Sequence, residues 1–361
     1  MKSNYDILGN HIRLIDTRNR ESITDRVLGI NIDKFFMPSV ANVIGTDLSK
    51  YKLITKGKFA CNPMHVGRDE RLPVALYDEE EPAIVSPAYF MFEVVDNSIL
   101  NEDYLMMWFR RPEFDRICWL HTDGSVRGGI TWDDICRLEL PIPPIEKQLE
   151  IVNSYKAITE RIALKKKIND NLQQQLCLIY ENMMCKAQYG NIEGTFTVAS
   201  KLTDVVTGKE DANFASPNGK YKFFTCSNDT LNCDEYVFDS SAILIAGNGD
   251  FNVKHYSGKF NAYQRTYVLI PDHQYYGLLY FASLYQINSF KSASSGSIVK
   301  FITKGDIENI PVFIPNDEHI LNELNRLLAL QEKNQAENEE LSSLRDWLLP
   351  MLMNGQASIS D

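Results

Sequence analysis

The stretch GSVRGGITWDDICRLELPIP at residues 124–143 recurs in altered form as GSIVKFITKGDIENIPVFIP at residues 296–315. The two copies are related by an offset of 172 residues without a gap. The same offset aligns Leu149 with Leu321 and, upstream, Tyr104 with Tyr276. A repeat this long indicates a duplicated domain rather than the short unit of a solenoid protein. We therefore expect two related halves with pseudo-twofold symmetry, which offer two related surfaces to a ligand.

Length and composition point to a globular protein of more than one domain. The chain has 361 residues, of which 44% are hydrophobic, enough for two domains and their connections. No run of about 18 apolar residues occurs, and the amino terminus lacks an apolar signal core. We therefore expect a cytoplasmic protein without a membrane span. Seven cysteines without a Cys-x-x-Cys pair predict reduced, buried thiols rather than disulfides or a zinc site.

The net charge of −11 argues against a simple nucleic-acid binder, because neutralising phosphates normally requires a basic face. The acidic excess is uneven along the chain. Residues 316–361 carry 3 Lys or Arg against 9 Asp or Glu, whereas the preceding globular regions are only mildly acidic. The distribution of charge along the chain is therefore more informative about possible partners than the net charge is.

Each half has the same order of elements: a strand-rich region, a strand that ends at proline, and one long helix. In the first half, Pro143 and Pro144 stop the strand and open the helix. Apolar residues then recur at steps of three and four up to Met183, which predicts a helix of roughly 40 residues, or roughly 60 Å. Such a helix needs partners along its length. The predicted parts are a first domain (1–143), a first helix (144–188), a second domain (189–315), a second helix (316–355) and a tail (356–361).

The two helices have opposite charges at their midpoints. The repeat maps Lys165, Lys166 and Lys167 onto residues 337–339, where Glu337 and Glu339 are followed by Glu340. If the helices pair antiparallel as a coiled coil, these clusters face each other and set the register, although surface ion pairs add little stability. Alternatively, both clusters are solvated helix faces.

Polar loops follow an apolar strand in both globular regions. Two different loops on the same scaffold of strands would allow the two regions to recognise different targets. Arg can bind guanine, Asn can bind adenine, and a carboxylate can accept from cytosine, while lysines can hold phosphates. Each residue taken alone could equally be an ordinary polar loop residue. The candidate DNA-binding residues are Lys56, Lys58, Asn62, His65, Arg68 and Arg71 in the first region, and Lys220, Lys222, Asn248, Asp250, Lys254, His255, Tyr256 and Arg265 in the second.

The sequence offers no catalytic or metal-binding motif. Gly247-Asn-Gly249 resembles a nucleotide-binding loop only briefly, because no third glycine and no helix follow. Asn62-Pro63 resembles the start of the Asn-Pro-Pro-aromatic loop of amino-methyltransferases, but Met64 and His65 occupy the remaining places. Walker, His-Glu-x-x-His and nucleophile-elbow motifs are missing. We expect a non-catalytic chain without a cofactor or metal of its own.

Three segments together resemble the specificity subunit of type I restriction-modification systems over nearly the whole chain. They are residues 140–148 (LPIPPIEKQ), their second copy at 313–315 (FIP), and the terminal stretch 344–355 (LRDWLLPMLMNG). The resemblance implies an α+β fold in which each globular region is a target recognition domain that reads one half of a split DNA site. The long helices would pack together as a spacer and carry surfaces for the modification subunits.

The resemblance also implies partners: double-stranded DNA, two methyltransferase subunits that use S-adenosylmethionine, and motor nuclease subunits that use ATP. The junction between the last strand and the long helix departs from the pattern in the second half, where Asn316 and Asp317 replace Pro144 and Ile145 of the first half. An alternative is an acidic interaction scaffold or a DNA-mimicking regulator of a DNA-handling enzyme. A third possibility, an autonomous methyltransferase, is disfavoured by the missing cofactor and catalytic loops.

Overall fold

The structure, a computed structural model, describes residues 5–41, 43–64, 66–122, 128–249, 251–293 and 301–353. The chain divides into two compact units. The first unit comprises Met1–Arg161 and Leu341–Asp361, and the second unit comprises Ile162–Glu340. Each unit therefore contains one globular region and a segment of each long helix. Several predicted features lie outside the described residues. They are the beginnings of the two repeated stretches (residues 124–127 and 296–300), Asn354-Gly355 and the predicted tail.

The first globular region is built from short strands and four short helices. Its elements are β1 (Tyr5–Ile7), β2 (Ile12–Ile15), β3 (Val27–Ile30), β4 (Phe36–Pro38), β5 (Lys52–Ile54), β6 (Phe59–Cys61), α1 (Val66–Asp69), β7 (Val74–Leu76), β8 (Ala83–Val85), β9 (Phe90–Val94), α2 (Glu102–Phe109), α3 (Pro112–Leu120), α4 (Trp132–Cys136) and β10 (Glu139–Pro141), followed by the long helix α5 (Ile145–Gln188).

The second globular region has fewer but longer strands. Its elements are β11 (Gly194–Val198), β12 (Val205–Thr207), β13 (Tyr221–Phe224), β14 (Leu231–Cys233), β15 (Phe238–Ala246), β16 (Val253–Ala262), β17 (Thr266–Leu269), α6 (Tyr276–Ala293), α7 (Lys304–Glu308) and β18 (Pro311–Pro315), followed by the long helix α8 (Glu318–Met353).

A four-stranded antiparallel arrangement occurs in both units. In the first unit the strand order is β2-β9-β6-β7, and in the second unit the equivalent strands run β12-β17-β15-β16. The second unit extends this sheet to six strands with β13 and β14, whereas the first unit adds a separate sheet, β4-β3-β8-β5. The duplication inferred from the 172-residue offset therefore extends to strand pairing that the offset alone does not specify.

A second shared feature ties the start of each region to its end. β1 pairs antiparallel with β10, and β11 pairs antiparallel with β18. A short 3-10 turn follows each first strand, and its first residue donates to a carbonyl just before the closing strand: Leu8 N to Leu138 O (2.7 Å) and Ala199 N to Ile310 O (2.9 Å). Leu8 is thus equivalent to Ala199.

One apolar core fills each unit and includes residues of both long helices. In the first unit, Val152 and Tyr155 of α5 join Leu349 and Leu352 of α8 in the cluster built around α2. In the second unit the helices run antiparallel, because Lys165 and Asn169 near one end of the α5 segment bond to Asn334 and Gln331 of α8. Leu172, Leu176, Leu324 and Leu328 continue this contact as part of the core. The α+β class predicted from the sequence, with long helices that pack together, is confirmed.

Gln148 anchors α5 to the first globular region. Its side chain is fully buried, donates to the carbonyls of Ile99 and Pro143 (2.8 Å each) and accepts from the backbone N–H of Asn101 (2.9 Å). Asn101 in turn caps α2 by accepting from the N–H of Tyr104. The buried amide uses both its donor and acceptor groups, which fixes α2 on the first turn of α5.

Asn325 performs the same task on α8 in the second unit. Its amide donates to the carbonyls of His273 and Gln274 (3.0 Å each) and accepts from the N–H of Gly277 (2.8 Å) at the start of α6. A Cβ atom at Gly277 would stand 3.0 Å from the Asn325 oxygen, so glycine permits this close approach. Gln148 and Asn325 are not related by the 172-residue offset, yet they hold equivalent helices.

Replacing Gln148 with alanine should lower the free energy of unfolding in urea by about 3 kcal/mol, because buried backbone groups lose their partners. Gln174→Ala, an exposed change on the same helix, is the matched control and should change it by less than about 0.5 kcal/mol. Equal effects of the two substitutions would show that Gln148 is not an anchor.

Candidate nucleic-acid interface

The basic candidates near β5 and β6 are paired with carboxylates. Lys56 contacts Glu80, Lys58 contacts Glu93, and Arg71 donates to Asp33 (2.9 Å). These neutral pairs are mostly exposed, so water and salt screen them and DNA phosphates can compete for the cations. The first region therefore does not present a surplus of positive charge at these positions.

The loop after β6 is held in a compact turn. Asn62 accepts from the N–H of Met64 (3.1 Å), and its own N–H donates to the carbonyl of Pro73 (2.9 Å). The side-chain oxygen of Asn62 is thus engaged within the loop, which leaves its amide N–H groups for a base edge. His65 lies outside the described residues, and so does the side chain of Arg68, whose backbone belongs to α1.

Arg71 lines a cleft of the first unit. This 880 Å³ cleft also involves Tyr155 of α5 and Leu349 of α8. Lys34 at its wall is buried, bonds to Asp115 (2.7 Å), and lies 4.8 Å from the centre of the Phe114 ring. Burial lowers the pKa of Lys34, and the charge of Asp115 opposes that change.

The predicted placement of Lys254, His255 and Tyr256 in a polar loop is wrong, because Val253–Tyr256 belong to β16. The long apolar strand β15 continues to Ala246, and the backbone pairing of Ile245 with Val253 extends the hairpin. The alternating pattern of β16 is hidden by its polar residues. Asn248 remains in the loop, half-buried, whereas Asp250 lies outside the described residues.

Lys254 is turned towards its own domain. Its ammonium group donates to the carbonyl of Ser227 (2.6 Å) and lies 5.8 Å from the centre of the Phe224 ring. Burial lowers the pKa of this lysine. Lys254 therefore stabilises the neighbouring loop, which argues against its predicted contact with DNA.

His255 joins the β15–β16 hairpin to α8 instead of pointing outward. Its Nδ1 atom is 2.8 Å from Oε1 of Glu332 on α8, and the hydroxyl of Tyr276 donates to the same oxygen at 2.7 Å. The imidazole ring packs edge-on against Tyr280, with 4.7 Å between ring centres. Glu332 thus binds β16 and α6 together, so His255 has a structural contact, and its predicted contact with DNA stays a prediction.

The remaining candidates of the second region divide into packed and accessible residues. Tyr256 packs against Phe224 (5.2 Å between ring centres), and burial raises the pKa of its hydroxyl. Lys222 forms an ion pair with Glu339 of α8 (2.8 Å). Lys220 and Arg265 are exposed, and each lies beside an aromatic ring. Only the last two, with Asn248, combine a suitable side chain with access to solvent.

The predicted facing of lysine and glutamate clusters is realised at one point. Lys165 bonds to Glu337 (2.6 Å) and to the amide oxygen of Asn334 (3.0 Å). Lys166, Lys167 and Glu340 are exposed, and Glu339 is bound to Lys222. The prediction of two opposed clusters is therefore corrected. Glu337 bonds to α5, Glu339 bonds to β13, and Glu332 bonds to both β16 and α6.

Side-chain amides make most of the polar contacts described between α5 and α8, where the sequence predicts ion pairs. Asn169 donates to the carbonyl of Gln331 (3.1 Å) and accepts from the side chain of Asn334 (3.0 Å). Gln331 donates to the side chain of Gln173 (3.2 Å). Because such bonds are short and directional, they specify the register of α5 against α8 in the second unit more sharply than exposed ion pairs do.

Possible metal ligands and reactive thiols were compared within the described part of the chain. There, no group of three or more His, Cys, Asp or Glu side chains is placed to hold a metal ion. All seven cysteines are free thiols, but only Cys61, Cys118 and Cys233 are buried, so the expectation of buried thiols is wrong for Cys185, which is exposed. Among the described helices, none combines the length and apolarity that crossing a bilayer requires.

The geometry defines a protein of two sheet-based domains, each attached to a long helix. Residues 197–343 match the family model described as "Type I restriction modification DNA specificity domain". The specificity subunit of the type I restriction enzyme EcoDI from Escherichia coli is 39% identical over 163 residues, which cover 43% of this chain and 37% of that protein. These matches confirm the resemblance to the specificity subunits of type I restriction-modification systems that the sequence predicts.

A solved structure supports the fold over the full length. The crystal structure of a type I restriction-modification S subunit from M. genitalium has a TM-score of 0.63 and 15% sequence identity, and the match covers 99% of this chain and 96% of that chain. At this identity the likeness concerns the fold alone. The sequence match to the curated relative spans well under half of that protein, so activity and partners are matters for proposal.

Replacing Glu332 with alanine should lower the free energy of unfolding of the second unit by about 2 kcal/mol, because His255 and Tyr276 lose a shared, half-buried acceptor. Glu332→Gln keeps one acceptor oxygen and should lose less. Glu340→Ala, an exposed change on the same helix, should be nearly neutral. Denaturant titration of the three variants tests the order, and an Ala variant as stable as the wild type would contradict it.

Proposed function

We propose that this chain is the non-catalytic DNA-sequence-recognition subunit of a type I restriction-modification complex. Each globular region reads one half of a bipartite site in double-stranded DNA. The long helices set the spacing between the half-sites and dock two methyltransferase subunits, and motor endonuclease subunits complete the assembly. The chain needs no cofactor of its own and works in the cytoplasm.

The observation that carries this proposal is the repeated four-stranded sheet with different loops. The same strand order occurs in both units, while the residues that leave the sheet at β6 and β15 differ entirely. A constant frame with variable loops suits two related readers of different sequences. The match of residues 197–343 to a DNA specificity domain supports the same reading.

The charge pattern supports a division of labour within the complex. Lys56, Lys58 and Lys222 are neutralised by carboxylates of this chain. Phosphate neutralisation supplies most non-specific affinity, whereas base contacts supply discrimination. We infer that partner subunits provide most of the attraction to DNA and that this chain provides the choice of sequence.

The alternative of a DNA-mimicking regulator fits less well. A mimic needs carboxylates free to meet a basic surface, but Glu332, Glu337 and Glu339 bond to residues of their own unit. The acidity of α8 therefore has a structural use, and no phosphate-like row of free charges is needed to explain it.

Mapping of methylated adenines in the host should reveal a bipartite motif that disappears when the gene is deleted. Combined substitution of Asn62, His65 and Arg68 with alanine should relax recognition in one half of that motif. The buried Val66 is left unchanged to preserve the fold. The untouched half-site is the internal control. If the variant methylated the same sites as the wild type, these loop residues would have no part in recognition.

Inserting one helical turn into both α5 and α8 should lengthen the preferred gap between half-sites, because the two helices together act as a spacer. Four residues add about 6 Å, roughly the rise of two base pairs. The insertion belongs where each helix passes from one unit to the other, after Arg161 in α5 and after Glu340 in α8, because the contacts of Lys165 and Asn169 with Asn334 then stay in place. Methylome sequencing reads the gap directly, and an unchanged gap would rule out a spacer role.

A further inference from the structure

One cleft occurs at the same place in both units, where three equivalent segments meet. In the first unit it has a volume of 540 Å³, and in the second a volume of 430 Å³. Both values lie in the range of about 300–1,000 Å³ typical of sites that bind small organic groups. The three segments are the loop that leaves β6 or β15, the residues that enter β9 or β17, and the residues that precede α4 or α7.

The same backbone bonds hold the two clefts open. The N–H of Ile130 donates to the carbonyl of Pro63 (3.2 Å), and the N–H of Ile302 donates to the carbonyl of Gly247 (3.0 Å). Ile130 and Ile302 are related by the 172-residue offset. The next residue on each side, Thr131 or Thr303, forms a capping box that fixes the following helix. The walls are therefore set by main chain, so the side chains that line them can change without moving the frame.

The side chains of the two clefts have opposite character. In the first unit, Met64 is 49% exposed, Phe90 packs edge-on against Trp132 (5.8 Å between ring centres), and Asp133 stands exposed at the rim. This cleft, the first-unit cleft, is apolar with one carboxylate.

In the second unit, the guanidinium of Arg265 lies 5.9 Å from the centre of the Phe301 ring, and Phe301 is 62% exposed. Gln264 and Lys304 are exposed beside them. This cleft, the second-unit cleft, combines an aromatic face with several hydrogen-bond donors. A duplicated position with a conserved frame and divergent chemistry is the expected form of two readers for two sequences.

We propose that these equivalent clefts make the discriminating contacts with base edges in the two half-sites. The inference rests on the proposed function and names its site. In the second-unit cleft, Arg265 donates to the O6 and N7 acceptors of a guanine, while Phe301 offers an aromatic surface. In the first-unit cleft, Met64 and Trp132 contact a thymine methyl group, and Asp133 accepts from the amino group of a neighbouring cytosine.

The cleft also explains which residues of the loops matter. Arg265 is one of the basic candidates of the second region that is exposed and lines a cleft, whereas Lys254 and His255 bond inward. Met64, Phe301 and Lys304 carry no signal as single residues in the sequence. Their significance comes from the position next to the repeated Ile-Thr pair, Ile130-Thr131 and Ile302-Thr303.

The test is selection of bound sequences from a random duplex DNA library by the chain assembled with its methyltransferase subunits. Arg265→Ala should lower the preference for guanine at one position of one half-site by roughly 10-fold or more. Met64→Ala and Asp133→Asn should weaken preferences only in the other half-site. All three positions are exposed, so the substitutions should leave the fold intact.

Two matched variants serve as controls. Lys259→Ala removes a cation at the opposite end of β16, and Leu120→Ala removes an exposed apolar side chain of α3; both should keep the wild-type motif. If the wild type selects a bipartite motif that Arg265→Ala and Met64→Ala leave unchanged, the clefts do not read bases and the inference fails. If the wild-type assembly selects no motif, the proposed function itself fails.

Discussion

The whole arrangement depends on a buried side-chain amide in each unit, Gln148 on α5 and Asn325 on α8. Gln148 bonds to two backbone groups in the turn before α2 and to the carbonyl of Pro143 before α5. Asn325 bonds to three backbone groups in the turn that opens α6. A buried amide that loses a partner costs about 1–3 kcal/mol, so the sheet cannot slide along its helix by small steps. The proposed recognition of bases needs that rigidity, because a displacement of about one ångström breaks a directional hydrogen bond.

The polar middle of the helices follows from the same requirement. An all-apolar seam would add stability but would allow neighbouring registers, whereas the hydrogen bonds among Asn169, Gln331 and Asn334 require the observed register. The acidic residues of α8 extend this specificity to the globular region: Glu332 holds β16 and Glu339 holds β13. Part of the negative charge that argues against DNA binding in the sequence thus has a structural role, because Glu332, Glu337 and Glu339 hold neighbouring elements in place.

Local signals in the sequence predicted the helices well and the contacts poorly. α5 begins at Ile145, directly after the proline pair, and ends at Gln188, as the apolar pattern indicates. Strand order could not be predicted, because pairing such as β2 with β9 joins residues far apart in the chain. The hairpin at Val253–Tyr256 was missed because polar residues interrupt its alternation. Gln148 and Asn325 were invisible to the repeat, since their roles are equivalent but their positions are not.

Duplication followed by divergence can produce asymmetric recognition only if stability and specificity reside in different residues. Here the frame depends on main-chain bonds, capping boxes and buried amides, which tolerate few changes. The residues that differ most between the clefts, Met64 and Arg265 among them, are exposed, and substitutions at exposed sites usually change stability by less than about 0.5 kcal/mol. Recognition can therefore change by single substitutions in one half while the other half, and the spacing, stay as they are.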